Sequence, residues 1–173
     1  MKIVILSVFV MFLSACGGSK PVKPVVVDAK TAIWIEMDVP FKRGADIDSK
    51  IKAECSLGTK LSGFVKSYSD QQGVGVMRKK RIGKQRNRLV LTINSAVSKG
   101  NAFTGHRKAT EISGVLYKKG KKVSKFTATR YSGGGFMGAY KGSCSVLGRT
   151  VKALGKDTAK WLKKPVNGAR LGG

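Results

Sequence analysis

Thr31 to Phe41 alternates with period two: Ile33, Ile35, Met37 and Val39 point one way, Ala32, Trp34, Glu36 and Asp38 the other. Such alternation with β-branched residues predicts a half-buried strand, closed by Pro40. Beyond a turn at Gly44 the period changes. Ile51, Cys55, Gly58, Leu61, Val65 and Tyr68 recur at spacings of three and four, one apolar stripe of a helix that Asp46 or Asp48 can cap and Gly73 can end in a left-handed exit. A short strand, Val74 to Met77, follows. Leu89 to Val97 alternates again, with Leu89, Leu91 and Ile93 set against Val90, Thr92 and Asn94. Lys108 to Tyr117 and Val123 to Tyr131 read as two further strands. Their connection, Lys118-Lys119-Gly120-Lys121-Lys122, predicts a hairpin turn with positive φ at Gly120 and lysines that discourage edge pairing. A glycine run at 133–135 breaks the pattern. With Ser143 as N-cap, Cys144, Leu147, Val151, Leu154, Thr158 and Trp161 then form the strongest helical stripe in the chain. Residues 165–173 are Gly-rich and read as a frayed tail.

The predicted order is strand, helix, four strands, helix. Two single-striped helices and a set of strands pack most economically as an α+β fold: one twisted sheet of about five strands with both helices on one face. Each stripe carries a cysteine, so Cys55 and Cys144 fall on the seam between the helices. A disulfide there needs Cα atoms about 4.4–6.8 Å apart, a spacing that closely packed helices supply.

The N-terminus has a different character. Lys2 is the only charge before Ile3 to Leu13, a nearly continuous apolar run followed at once by small residues, the order of a secretory signal peptide. Eleven residues of helix reach about 16 Å, far short of the roughly 30 Å of a bilayer core. Leu13-Ser14-Ala15-Cys16 resembles the lipobox of bacterial lipoproteins. That resemblance implies cleavage before Cys16, a diacylglyceryl thioether on its sulfur and a fatty-acylated amino group. Gly17, where an Asp retains such proteins at the inner membrane, implies the periplasmic face of the outer membrane. The expected organisation is a signal peptide over 1–15, a lipidated N-terminus and tether over 16–29, one domain over 30–164 and the tail. The lipobox, the Ile33–Val39 strand and the stretch from Ile112 to Trp161 together resemble small outer-membrane lipoproteins of the YajG kind. More loosely they resemble the lipoprotein activators of penicillin-binding proteins.

Export changes the reading of composition. With Cys16 acylated, Cys55 and Cys144 are the remaining pair in an oxidising space. The chain holds 34 Lys or Arg against 9 Asp or Glu, and seven of the acids lie between Asp28 and Asp70. From Gln71 onward 24 basic residues face only Glu111 and Asp157, an excess of +22. Self-repulsion on this scale favours anionic neighbours. In an envelope these are anionic phospholipid, lipopolysaccharide, peptidoglycan carboxylates or an acidic protein. The candidate contact residues are Arg78, Lys79, Lys80, Arg81, Lys84, Arg86 and Arg88, the densest basic run, with Lys118, Lys119, Lys121 and Lys122. Behind an export signal, nucleic acid is not an expected partner.

Catalytic and cofactor signatures are not seen. His106 is the sole histidine, and Glu111 and Asp157 are distant in sequence with no third member. The glycines around 133–142 lack Walker spacing, because Lys141 is followed by Gly142. The sequence therefore predicts a non-enzymatic, cofactor-free lipoprotein serving as a binding or accessory module. The alternative is an adaptor or activator of an envelope enzyme or assembly machine.

Overall fold

The computed structural model describes residues 27–45, 47–99, 107–133 and 142–172. The signal peptide, Cys16, most of the tether, Asp46, His106 and the glycine-rich segment 134–141 lie outside the described residues. Among the described residues six strands and three helices follow in the order β1 (Ile33–Glu36), α1 (Ser49–Glu54), α2 (Leu57–Gln71), β2 (Val76–Lys79), β3 (Arg88–Lys99), β4 (Arg107–Lys118), β5 (Lys121–Gly133), α3 (Ser143–Lys163) and β6 (Ala169–Leu171). The sheet order is β2-β1-β3-β4-β5-β6. β1 runs parallel to β2 and to β3, β3-β4-β5 form an antiparallel meander, and β6 returns parallel to β5. The architecture is the α+β arrangement expected from the sequence, one sheet with its apolar side under the helices.

The periodicities explain the core. Ile33 and Ile35 of β1, Leu89, Leu91 and Ile93 of β3, Ile112 and Leu116 of β4, and Phe126 and Ala128 of β5 are all buried. Val90, Lys125 and Thr127 stand on the opposite, exposed face. A bulge between Ile93 and Ser95 adds one residue to β3, so that Ala96 rather than Ser95 continues the buried row. Leu147, Val151, Leu154, Thr158 and Trp161 of α3 bury as their spacing demands, with Phe126 and Trp161 ring centroids 4.6 Å apart. α2 crosses α3 closely because Gly155 has no side chain; a Cβ there would meet the Phe64 Cβ at 2.5 Å.

Several expectations are corrected. The first predicted helix is two helices, broken at Ser56, whose φ of 47° is left-handed. Cys55 thus caps α1, and the stripe continues from Leu57 in a new direction. Met37 is 45% exposed because the chain bends away after Glu36. Gly142, not Ser143, is the N-cap of α3. The hairpin lysines guard no edge: β4 and β5 are interior, and the edges are β2 and β6. The tail is not frayed. Ala169–Leu171 pairs with Phe126–Ala128, and Trp161 Nε1 donates to the Val166 carbonyl at 2.9 Å. The domain also includes residues before 30, since the Asp28 carbonyl accepts from the amides of Thr31 and Ala32.

Candidate functional site

Strand directions define two ends of the molecule. β1 and β3 begin, and β4 ends, at what is here termed the lead-in end, where Val27–Ala32 joins the sheet. The opposite end holds the close of β3, the start of β4, α1 and the start of α3. There Cys55 and Cys144 are joined by a disulfide, Cα atoms 4.8 Å apart, tying the α1–α2 corner to the first turn of α3.

The dense basic run doubles back on itself within the lead-in half of the sheet. β2 is parallel to its neighbours, so residues 80–87 must travel back along the sheet before β3 can start, crossing β1 beside Trp34. Arg78 and Lys79 therefore lie only one and two residues farther along than Arg88, which is level with Trp34 and Met77, and Lys80 and Arg81 open the returning loop. Arg78 is committed internally: its Nη2 donates to the carbonyls of Met37 at 3.1 Å and Thr59 at 3.2 Å. Lys84 rides on the returning loop, and Arg86 and Arg88 arrive at the lead-in end. Arg88 also has structural work, with its guanidinium 3.9 Å over the Tyr117 ring and Nη1 donating to the Gln85 carbonyl at 2.8 Å.

At the lead-in end the remaining cations converge. Lys118, Lys119, Lys121 and Lys122 surround the β4–β5 turn, which has the two positive φ angles of a tight hairpin, 50° at Lys119 and 82° at Gly120. This turn is pinned against the loop before β3: the Gly120 amide donates to the Arg86 carbonyl at 2.7 Å and the Lys119 amide to Asn87 Oδ1 at 3.0 Å. Asn87 Nδ2 donates onward to the Lys30 carbonyl at 3.2 Å. One amide side chain thus joins three segments distant in sequence. A cleft of about 470 Å³ lies among them, lined by Lys30, Thr31, Ile33, Arg86, Asn87, Lys118 and Lys119. α3 ends nearby, since Ser124 Oγ donates to the Pro165 carbonyl, and brings exposed Lys163 and Lys164.

Acidic residues do not balance this end. Asp28 accepts from the Lys30 amide, and Asp70 is ion-paired with Lys66 at 2.8 Å. Asp48 and Glu54 sit at the disulfide end beside Ala96, Val97 and Ser98, whereas Glu36 pairs with Lys79 two residues along from Trp34, and Asp38 accepts from Thr59 Oγ1 at 3.2 Å. Mid-molecule, Arg130 holds Asp157 at 2.7 Å, a hydrogen bond that raises the guanidinium pKa, and Glu111 accepts from Asn94. The disulfide end is basic as well, with Lys50, Lys52, Lys108 and Arg149 set beside Asp48 and Glu54.

Two features were missed by sequence reasoning. Asn87 looked like one neutral residue in a basic run; its only local signal is the tendency of Asn to bond nearby backbone. The other is a polar group under the start of α3. Lys108, 5% exposed, donates to Ser143 Oγ at 3.1 Å, and Ser98 Oγ lies 3.0 Å from the same oxygen. Burial, with Arg149 nearby, lowers the Lys108 pKa. Through these bonds the group ties the start of β4 and the end of β3 to the start of α3.

No family model matches the chain, and no curated protein matches it. Solved structures resemble it in fold. A Xanthomonas campestris protein of the DUF330 family is 12% identical, over 82% of this chain and 87% of that one, with a TM-score of 0.51. A minor lipoprotein from Acinetobacter baumannii is 11% identical over 68% and 88%, TM-score 0.41, and a PelC dodecamer from Paraburkholderia phytofirmans 12% over 75% and 86%, TM-score 0.43. At these identities the likeness is one of fold alone, carried by the Xanthomonas structure.

Proposed function

We propose that the chain is a non-enzymatic lipoprotein of the bacterial envelope, acylated on Cys16 and held at the periplasmic face of the outer membrane. There its domain serves as a binding or accessory module for an anionic component. Leu13-Ser14-Ala15-Cys16 and the preceding apolar run support the anchor, and Gly17 supports the outer membrane. The observation that carries the binding role is the convergence of Lys30, Arg86 and Lys118–Lys122 from three segments onto one end with little acidic compensation. Random surface charge would not need Asn87 to hold those segments in register. Arg78 and Arg88 leave the list of ligand contacts, because their guanidinium groups are already spent on carbonyls and a ring.

Mass spectrometry of the protein from membranes tests the anchor: the expected mature form begins at an acylated Cys16, and Cys16→Ser abolishes both processing and membrane fractionation. An unprocessed Met1 form in the soluble fraction overturns it. Binding to anionic envelope material is expected to weaken steeply with salt, because exposed charges are screened within about 8 Å at physiological ionic strength. Salt-independent binding removes the electrostatic role.

A further inference from the structure

We infer that the lead-in end is the membrane-facing end of the domain, and that its partner is the anionic phosphate headgroups of the bilayer to which the chain is itself tethered. The inference rests on the anchored reading above and adds an orientation and an occupant to it. Two independent placements coincide. Val27, the first described residue, packs its side chain over Gly75 at the start of β2, so the chain from Cys16 reaches the domain at this end. The exposed cations gather at the same end: Lys30 belongs to the lead-in itself, and Lys119 is fastened to it through Asn87.

Magnitudes favour the tethering membrane over a more distant target. The stretch between Cys16 and Val27 spans at most about 40 Å when extended, so the lead-in end always stays within that reach of the bilayer surface and is the end that arrives there first. The twelve residues of β3 place the disulfide end about 40 Å from the lead-in end, several screening lengths farther out. Each Lys or Arg at an anionic surface multiplies the bound population by about five. A handful of cations on one end therefore suffices to set orientation, while the acylated Cys16 supplies attachment.

The test uses the acylated protein purified from membranes and reconstituted into vesicles of phosphatidylcholine, with or without phosphatidylglycerol. Surface lysines are acetylated and their rates read one by one by mass spectrometry. On phosphatidylglycerol vesicles, acetylation of Lys30, Lys118, Lys119, Lys121 and Lys122 should fall about fivefold relative to phosphatidylcholine vesicles, the factor set by surface attraction. Lys42, Lys50, Lys52 and Lys60 should be unchanged, and high salt should erase the difference. A variant carrying Arg86→Gln, Lys118→Gln, Lys121→Gln and Lys122→Gln, which spares the strained turn position Lys119, should still float with vesicles while Lys30 and Lys119 lose protection. Uniform rates on floating protein overturn the docking and leave the anchor standing. Protection at the other end overturns the orientation. Protection found only in native envelopes, and not on purified lipid, overturns the lipid partner in favour of an acidic protein. A chain that does not float overturns the anchored reading and the docking together.

Discussion

The disulfide offers the sharpest quantitative test of how this fold is held. Cys55 and Cys144 are 89 residues apart, and the loop they close contains α2 and β2 through β5. In the chain-entropy treatment, closing a loop of that length removes about 15 cal/mol/K from the unfolded chain, or about 4.6 kcal/mol at 25 °C. That is a large share of the about 5–15 kcal/mol by which domains are typically stable. At about 3 °C per kcal/mol for a domain near this size, reduction should lower Tm by about 14 °C. Denaturant unfolding of the oxidised and reduced protein is the assay, with thiol titration in denaturant showing no free Cys55 or Cys144 thiol before reduction. The reduced chain should also unfold with a steeper denaturant slope, because its unfolded state exposes more surface. A Cys55→Ala, Cys144→Ala variant should behave as the reduced protein and be indifferent to reductant. Oxidised and reduced forms that melt within about 2 °C of each other would refute the entropic account, since a loop of this length cannot be that inexpensive to close.

Asn87→Ala removes side-chain bonds to two separate segments and should cost about 1–2 kcal/mol, with faster hydrogen exchange at the Lys119 amide; unchanged exchange there would show that Asn87 does not hold the turn. Gly155→Ala should destabilise by about 1–3 kcal/mol in urea melts, because its methyl group would press on Phe64 where α2 and α3 meet. The Lys108 pKa is lowered from its usual 10.5 by burial and by Arg149, so the unfolded chain binds that proton more tightly. Below the lowered value both states are protonated and the native state bears the full cost. The cost is relieved as pH rises from the lowered value toward 10.5, and stability gains there. Lys108→Met should lack that gain, measured as the difference between the two proteins' unfolding free energies from neutral to alkaline pH; parallel curves would show that Lys108 is not the group responsible.

What the sequence determined by itself is the set of local periods. Leu89, Leu91 and Ile93 at period two, and Leu147, Val151, Leu154, Thr158 and Trp161 at three and four, fix which side of β3 and α3 leaves water, because burial of apolar surface depends only on local geometry and side-chain type. The cysteine on each stripe likewise foretold a link between the helical layers. Other features had no local signal. β6 is three residues long and becomes a strand only because β5 offers an unpaired edge. The break at Ser56 turns α1 toward the start of α3, where Cys55 meets Cys144, and the unbroken stripe concealed it. The candidate site depended most on tertiary structure. A basic run continuous from Arg78 to Arg88 was folded back across β1, because parallel pairing of β2 returns the chain to the start of β3. Lys30, Arg86 and Lys119 became neighbours through Asn87, across separations of up to 57 residues. Hydrogen bonds of that kind are decided by where the backbone returns, and periodicity carries no record of it.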